Sequence, residues 1–191
     1  QPTSSSAWTA PSAAAAAPSY APHPALIAPR AATSLMLDVV ATGERYVAVG
    51  ERGQIMTSDD GRHWAQSPVP VRAALTAVSF ADAKHGWAVG HDAAILATTD
   101  GGQTWNLQNY EPELEKPLLD VLFVDSQRGY AIGAFGLFLA TTDGGGSWEP
   151  VSAAVIDEDE LNLHAITRLG NGDLLIVGEQ GRVLLSSDGG R

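Results

Sequence analysis

One short motif returns four times along this 191-residue chain, and its spacing constrains the fold more than any other feature. Thr57-Ser58-Asp59-Asp60-Gly61-Arg62-His63-Trp64 recurs as Thr98-Thr99-Asp100-Gly101-Gly102-Gln103-Thr104-Trp105. It returns as Thr141-Thr142-Asp143-Gly144-Gly145-Gly146-Ser147-Trp148, and a fourth copy, Ser186-Ser187-Asp188-Gly189-Gly190, stops at Arg191 before any Trp. A second landmark, the glycine closing a short apolar run, keeps step at Gly50, Gly90, Gly133 and Gly178. A period of roughly 40–45 residues marks a repeat architecture, in which each period is one supersecondary unit.

Within each period the apolar residues come in short β-branched and aromatic runs bounded by Gly, Asp and Asn, a strand-and-turn pattern. The first strand reads Leu37-Asp38-Val39-Val40, aligned with Leu75-Thr76-Ala77-Val78, Leu119-Asp120-Val121-Leu122 and Leu163-His164-Ala165-Ile166. A second strand ends at each landmark glycine and a third leads into the motif. The residues after each Trp supply a fourth. No segment sustains a helical period. Four strands per period of this length predict an all-β fold, a β-propeller with four-stranded blades. The blades are expected at 34–73, 74–116, 117–161 and 162–191, the last incomplete.

The motif has a mechanical reading. Its Asp accepts hydrogen bonds from backbone N–H groups of its own turn, each worth about 1.5–3 kcal/mol with one charged partner. Its Gly permits a positive φ. Its Trp packs between blades and buries about 150–250 Å², an upper bound of roughly 4–6 kcal/mol at ~25 cal/mol per Å². The structural set is therefore Thr57, Asp59, Gly61 and Trp64; Thr98, Asp100, Gly102 and Trp105; Thr141, Asp143, Gly145 and Trp148; and Ser186, Asp188 and Gly190.

These motifs resemble the BNR or Asp-box repeat of sialidases and sortilin-type receptors. The longer blade is more similar to the photosystem II stability/assembly factor-like propellers, on Leu75-Thr76-Ala77-Val78-Ser79-Phe80, Gly86–Gly90 and residues 95–105. The resemblance covers roughly residues 35–191. It implies a ring of about seven blades, a protein-binding role in a membrane-associated complex, an exported or periplasmic location and no cofactor. Four periods fall short of such a ring, so the chain is expected to supply part of it and to continue past Arg191.

Composition narrows the partners. Residues 1–33 are rich in Ala, Pro and Ser, carry no acidic residue and have little apolar surface to offset ordering, which predicts a flexible tail. No run approaches the ~18 apolar residues of a spanning helix, so no membrane insertion is expected. A net charge of −11 argues against nucleic acid and against anionic membrane surfaces, and it suits a basic partner. The absence of Cys excludes disulfides and thiolate sites.

The repeated residues are occupied by folding, so function is sought where the blades differ. Turns between second and third strands lie on the rim opposite the motif. Their candidates are Glu51 and Arg52, His91 and Asp92, Phe135, and Glu179 and Gln180. Solvated hairpin tips would vary in the same way. Two longer connections reach that rim, one with Glu111, Glu113 and Glu115, the other with Asp157, Glu158, Asp159 and Glu160. The second lacks the alternating ligands and central Gly of a calcium loop, so no metal is expected. A further column, Asp38, Thr76, Asp120 and His164, is expected to face the central channel.

Two functions compete, a non-catalytic protein-binding scaffold and a sialidase-like glycoside hydrolase. The hydrolase would need an arginine cluster, a Tyr–Glu nucleophile pair and an acid/base Asp. Arg52, Arg72, Arg128 and Arg168 are scattered, and Tyr46 and Tyr130 sit in repeat strands. The scaffold, not an enzyme, is the expectation.

Overall fold

A computed structural model of the chain describes residues 21–28, 31–152, 156 and 160–187. Its strands form four antiparallel sheets, each a meander. Blade 1 holds β1 (Met36–Ala41), β2 (Tyr46–Gly50), β3 (Ile55–Ser58) and β4 (Ala65–Gln66). Blade 2 holds β5 (Leu75–Phe80), β6 (Gly86–Gly90), β7 (Ile95–Thr98) and β8 (Asn106–Asn109). Blade 3 follows with β9 (Leu118–Phe123), β10 (Gly129–Gly133), β11 (Phe138–Thr141) and β12 (Glu149–Pro150). Blade 4 shows β13 (Leu163–Arg168), β14 (Leu174–Gly178) and β15 (Val183–Ser186) among the described residues. The fold is all-β and consistent with a partial β-propeller. Asp157, Glu158, Asp159, Asp188 and Gly190 lie outside the described residues, as do residues 1–20.

The first strands β1, β5, β9 and β13 stand side by side, and the three largest apolar clusters lie between blades rather than within them. Val47, Val49 and Ile55 of blade 1 pack with Leu75, Val78, Leu96 and Trp105 of blade 2. Trp87, Val89 and Ile95 meet Leu118, Val121 and Phe123 of blade 3. Ile132 and Phe138 meet Leu163, Ile166 and Ile176 of blade 4. The repeat exposes what each neighbour contributes. Val78 and Val121 are 7% and 5% exposed, whereas their equivalent Val39 is 59% exposed. Ile55 and Ile95 are 0% exposed, whereas Val183 is 64% exposed. The arc thus presents at its two ends the apolar faces that its interior blades bury.

Pairing within each sheet departs from the expected alignment. Every first strand carries a bulge near its start, with Leu37, Thr76, Leu119 and His164 as the extra residues. Asp38 and Asp120 therefore match Ala77 and Ala165, opposite Val49, Ile132, Val89 and Val177 respectively. The column Asp38, Thr76, Asp120 and His164 is two different positions, because a one-residue slip turns a side chain to the other face. The doublet Leu118-Leu119 and the pair Met36-Leu37 offer two apolar residues where one sets the register.

Three members of that column fasten blade to blade. Asp38 accepts the N–H of its neighbour Val39 at 2.8 Å and the N–H of Val78, in blade 2, at 2.9 Å. Asp120 does the same for Val121 and for Ile166 in blade 4, both at 2.8 Å. Thr76 donates to the carbonyl of Leu118 in blade 3 at 2.8 Å. Burial holds the Asp120 carboxyl above its ordinary range despite these bonds, with Asp38 adding to the shift. His164 is exposed.

Close approach explains the landmark glycines. A methyl at Gly90 would land on the carbonyl oxygen of Ala74, and one at Gly50 or Gly133 on the equivalent oxygen of Leu35 or Pro117. The expected tail is not uniform either. Ala25 donates to the Val69 carbonyl at 2.9 Å, Ala28 N–H to Gln66 Oε1 at 2.9 Å and Arg72 Nε to the Pro24 carbonyl at 2.7 Å. Residues 21–28 are thereby fastened beside the outer strand of blade 1, through the Gln66 and Arg72 side chains and the Val69 carbonyl.

Asp120→Ala should lower the unfolding free energy by about 1–3 kcal/mol, the cost of leaving a buried N–H without its acceptor. His164→Ala should leave it unchanged. Urea denaturation of the purified variants measures both.

Candidate functional site

The Asp-box turns come first, because their bonds decide which carboxylates remain free for chemistry. In blade 2, Thr98 Oγ1 donates to Asp100 Oδ1 at 2.8 Å and accepts the Gly102 N–H at 3.0 Å. The N–H groups of Gln103 and Thr104 both reach Asp100 Oδ1 at 2.9 Å, and Thr104 Oγ1 donates to Asp100 Oδ2. Blade 3 repeats this through Thr141, Asp143, Gly145 and Ser147. The Ser147 N–H, then the Thr141 and Ser147 hydroxyls, hold the Asp143 carboxyl down to about 2. At Asp100 burial pulls upward, but the Thr104 and Thr98 bonds outweigh it and the net shift is downward.

Blade 1 closes its turn on other residues than Thr57 and Asp59. Ser58 Oγ donates to Asp60 Oδ1 at 3.2 Å and accepts the Gly61 N–H at 2.9 Å. Asp60 Oδ1 accepts the N–H groups of Arg62 and His63, each at 2.8 Å. Strand register is the reason. Ser58 pairs with Tyr46 as Thr98 pairs with Gly86, so the buried hydroxyl that ends the third strand is Ser58. The turn to Trp64 is then one residue shorter than its counterparts. Thr57 faces partly outward, and Asp59 only meets the Arg45 guanidinium at 3.3 Å. In place of the Thr104 or Ser147 hydroxyl, His63 Nδ1 lies 2.7 Å from Asp60 Oδ2.

The turns of blades 2 and 3 are also seated on the preceding blade. Ser67 Oγ donates to the Gly102 carbonyl at 2.7 Å, alongside Trp105 Nε1 at 3.0 Å. Gln108 Nε2 and Trp87 Nε1 converge on the Gly144 carbonyl at 3.0 and 3.1 Å. Gly145 has φ +88°, and any side chain there would strike Gln108. Trp105 is buried, whereas Trp64 and Trp148 are partly covered. These residues are engaged in blade closure.

The opposite rim is built differently. Between second and third strands every blade makes a two-residue turn with left-handed backbone, at Arg52 (φ +58°), Asp92 (φ +61°), Phe135 (φ +53°) and Gln180 (φ +54°). Asn or Gly fits that region; for other residues it costs about 1–2 kcal/mol. Of the sequence candidates, Glu51 and Glu179 are tied down: Glu51 accepts the Leu35 N–H, and Glu179 clamps Asn162 through both carboxylate oxygens. Asp92 holds Tyr110 and, through its carbonyl, the Glu111 N–H. Arg52, His91, Phe135 and Gln180 are exposed.

Beside Phe135 lies an open crevice of about 280 Å³, which the sequence reading did not find. It is lined by Lys116 from the connection before blade 3, Phe138 of β11, and Val151, Ile156 and Glu160 from the connection after it. Only the apolar residue at a turn tip, Phe135, hinted at it. Glu111, Glu113 and Glu115 are exposed on the neighbouring connection. Among the described residues no three His, Asp or Glu side chains are grouped to hold a metal. Arg128 pairs locally with Asp125 and Arg72 with the Pro24 carbonyl, so neither joins a carboxylate-binding cluster.

Fold and turn chemistry together define a class, the Asp-box β-propeller whose repeated side chains are spent on closing blades. The family model described as Photosynthesis system II assembly factor YCF48 matches residues 56–114 and 107–191, and the chain belongs to that family. It is 32% identical over 83 residues to the chloroplastic photosystem II stability/assembly factor HCF136 of Cyanidioschyzon merolae, covering 40% of this chain and 19% of that protein. It is 44% identical over 46 residues to the photosystem II assembly protein Ycf48 of Thermosynechococcus vestitus, covering 24% and 13%. The chain thus matches less than a fifth of the length of these relatives. Among solved structures, YCF48 bound to D1 peptide superposes with a TM-score of 0.58 at 20% identity, over 81% of this chain and 65% of that one. YCF48 from Cyanidioschyzon merolae gives 0.62 at 21% identity, over 79% and 50%. An ancestral GH74 enzyme gives 0.59 at 13% identity, over 82% and 26%. These three likenesses concern the fold.

Asp60→Ala should lower the melting temperature, while Asp59→Ala, which loses only an exposed ion pair, should leave it within error. Differential scanning calorimetry distinguishes them.

The His63–Asp60 pair adds a pH dependence. The hydrogen bond to Asp60 raises the His63 pKa above 6.5, and the His63 N–H and side chain hold Asp60 well below its ordinary 3.8. The His63 contribution is complete below 6.5 and fades as pH rises through the raised value. The Asp60 contribution is complete above 3.8 and fades as acid protonates it. His63→Thr should therefore flatten the decline of melting temperature between pH 6 and 9, with scans in that range as the readout.

Proposed function

We propose that this chain is a non-catalytic assembly or stability factor that holds a subunit of a membrane-associated complex on the rim opposite its Asp-boxes. Membership of the YCF48 family carries the reading. A solved relative is YCF48 bound to D1 peptide, and a peptide-binding role on this chain would follow the same logic. The closure chemistry supports it, because backbone donors already account for the repeated aspartates. The acidic balance of the chain favours a client segment that is basic. An exported compartment, the periplasm or its equivalent, fits the family resemblance.

The immobilised chain, incubated with solubilised membranes of its source organism, should retain a defined membrane-complex subunit that releases as salt is raised. Mass spectrometry of the eluate identifies it, and an eluate matching that of blank resin would overturn the reading. A fluorogenic sialoside should remain intact; its turnover above background would return the hydrolase to consideration.

A further inference from the structure

Phe135 breaks two rules at once. It is the one aromatic among the four left-handed turn residues, and half of its surface is exposed. An exposed apolar ring gains nothing from water, and a non-glycine residue at φ +53° pays a steric cost. Such a residue persists only where its surroundings over-determine it. Here they do, from both sides. Asn162 Oδ1 accepts the Phe135 N–H at 3.0 Å, and Asn162 is itself clamped by Glu179. Lys116 Nζ donates to the Phe135 carbonyl at 3.1 Å, and the Gly136 N–H reaches the Leu161 carbonyl at 3.0 Å. Among the described residues, no comparable bracing from both adjoining connections is seen at Arg52 or Gln180. The ring is held out in a fixed position, so little entropy is lost when something packs on it.

The crevice against this ring has an apolar floor, Phe138, Val151 and Ile156, and a charged margin. About 280 Å³ suits one large apolar side chain rather than a drug-sized ligand. The Lys116 ammonium, its cation, is engaged by the Phe135 carbonyl. That bond leaves its charge in place, but carboxylates outnumber it: Glu160 lines the crevice, and Glu115 adjoins Lys116 in a connection that also exposes Glu111 and Glu113. Glu115 and Glu160 are also left-handed, at φ +53° and +46°. Three strained non-glycine residues therefore gather about this crevice.

From this geometry we infer that the Phe135 crevice is the anchor site for a basic, extended segment of a partner protein, which inserts one aromatic or leucine side chain between flanking Lys or Arg residues. This inference rests on the protein-binding reading above and specifies where and what that surface takes. The apolar contact supplies the anchor, and the surrounding carboxylates select against acidic or neutral segments.

The probe is a fluorescein-labelled heptapeptide, Gly-Lys-Arg-Phe-Arg-Lys-Gly, titrated with the full chain by fluorescence anisotropy at 0.15 M salt. Binding should weaken roughly tenfold or more when its Phe is replaced by Ala, and likewise for the protein variant Phe135→Asn. Asn is at home in left-handed backbone, so this variant should melt at the same temperature as the parent or higher, separating lost binding from lost folding. Glu160→Gln should weaken binding and flatten its salt dependence, whereas His91→Asn, on the tip of the neighbouring blade, should change neither. Equal affinity for the Phe and Ala peptides would reduce the site to general charge attraction and overturn the inference. So would a parent chain that elutes as a dimer and becomes monomeric as Phe135→Asn, or a crevice freed for the peptide only by deleting residues 1–20; each makes the occupant this protein itself. If Phe135→Asn retains the membrane subunit at the parental level, the crevice is wrong and the scaffold stands. If the parent retains nothing, the scaffold fails first.

Discussion

A four-stranded blade has two faces and no interior of its own, so the packing of one blade on the next is the interaction on which this structure depends. Each main apolar cluster takes side chains from two blades, and the same valine is buried or bare according to whether a neighbour is present. Polar bonds then set the angle and spacing of that packing. Asp38, Thr76 and Asp120 tie successive blades at their first strands. Ser67, Gln108 and Trp87 donate to carbonyls of the following Asp-box turn farther out. Stability of such an array approximates a sum of blade and nearest-neighbour contributions. Loosening any one contact should be felt mainly at its own interface.

The same accounting separates structure from function. A carboxylate that accepts two backbone N–H groups is fixed in place by them, as Asp38, Asp100 and Asp120 are. Aspartates repeat along this chain because turns and latches repeat. What does not repeat is the opposite rim, where one backbone shape carries Arg52, Asp92, Phe135 and Gln180 in turn. The proposed recognition surface is this rim, a constant scaffold with changing side chains on a molecule whose net charge is −11.

Blade 1 illustrates how a repeat tolerates local change. Its turn has lost a residue, yet Ser58 and Asp60 rebuild the hydroxyl–carboxylate pair, and His63 replaces the second hydroxyl. The substitution exchanges a pH-independent contact for one governed by an imidazole. Alongside, residues 21–28 are fastened beside the outer strand of the same blade and are rich in Ala and Pro, a composition that hides their docking because their own bonds are made by backbone.

The sequence by itself determined that this protein is built of four-stranded blades closed by Asp-box turns. Those features arise from bonds within eight residues and from strand-length apolar runs, so they are written locally in Thr98-Thr99-Asp100-Gly101-Gly102 and its copies. Tertiary structure decided register. The bulges at Leu37, Thr76, Leu119 and His164, and the choice of Ser58 over Thr57, follow from which residue faces a neighbouring blade, about 40 residues away in sequence. It also decided the Phe135 crevice, because Lys116, Phe135 and Glu160 come from three connections that only blade packing brings together. Local spacing encodes an interaction when its partners are neighbours in the chain; these partners become neighbours only when the blades stack.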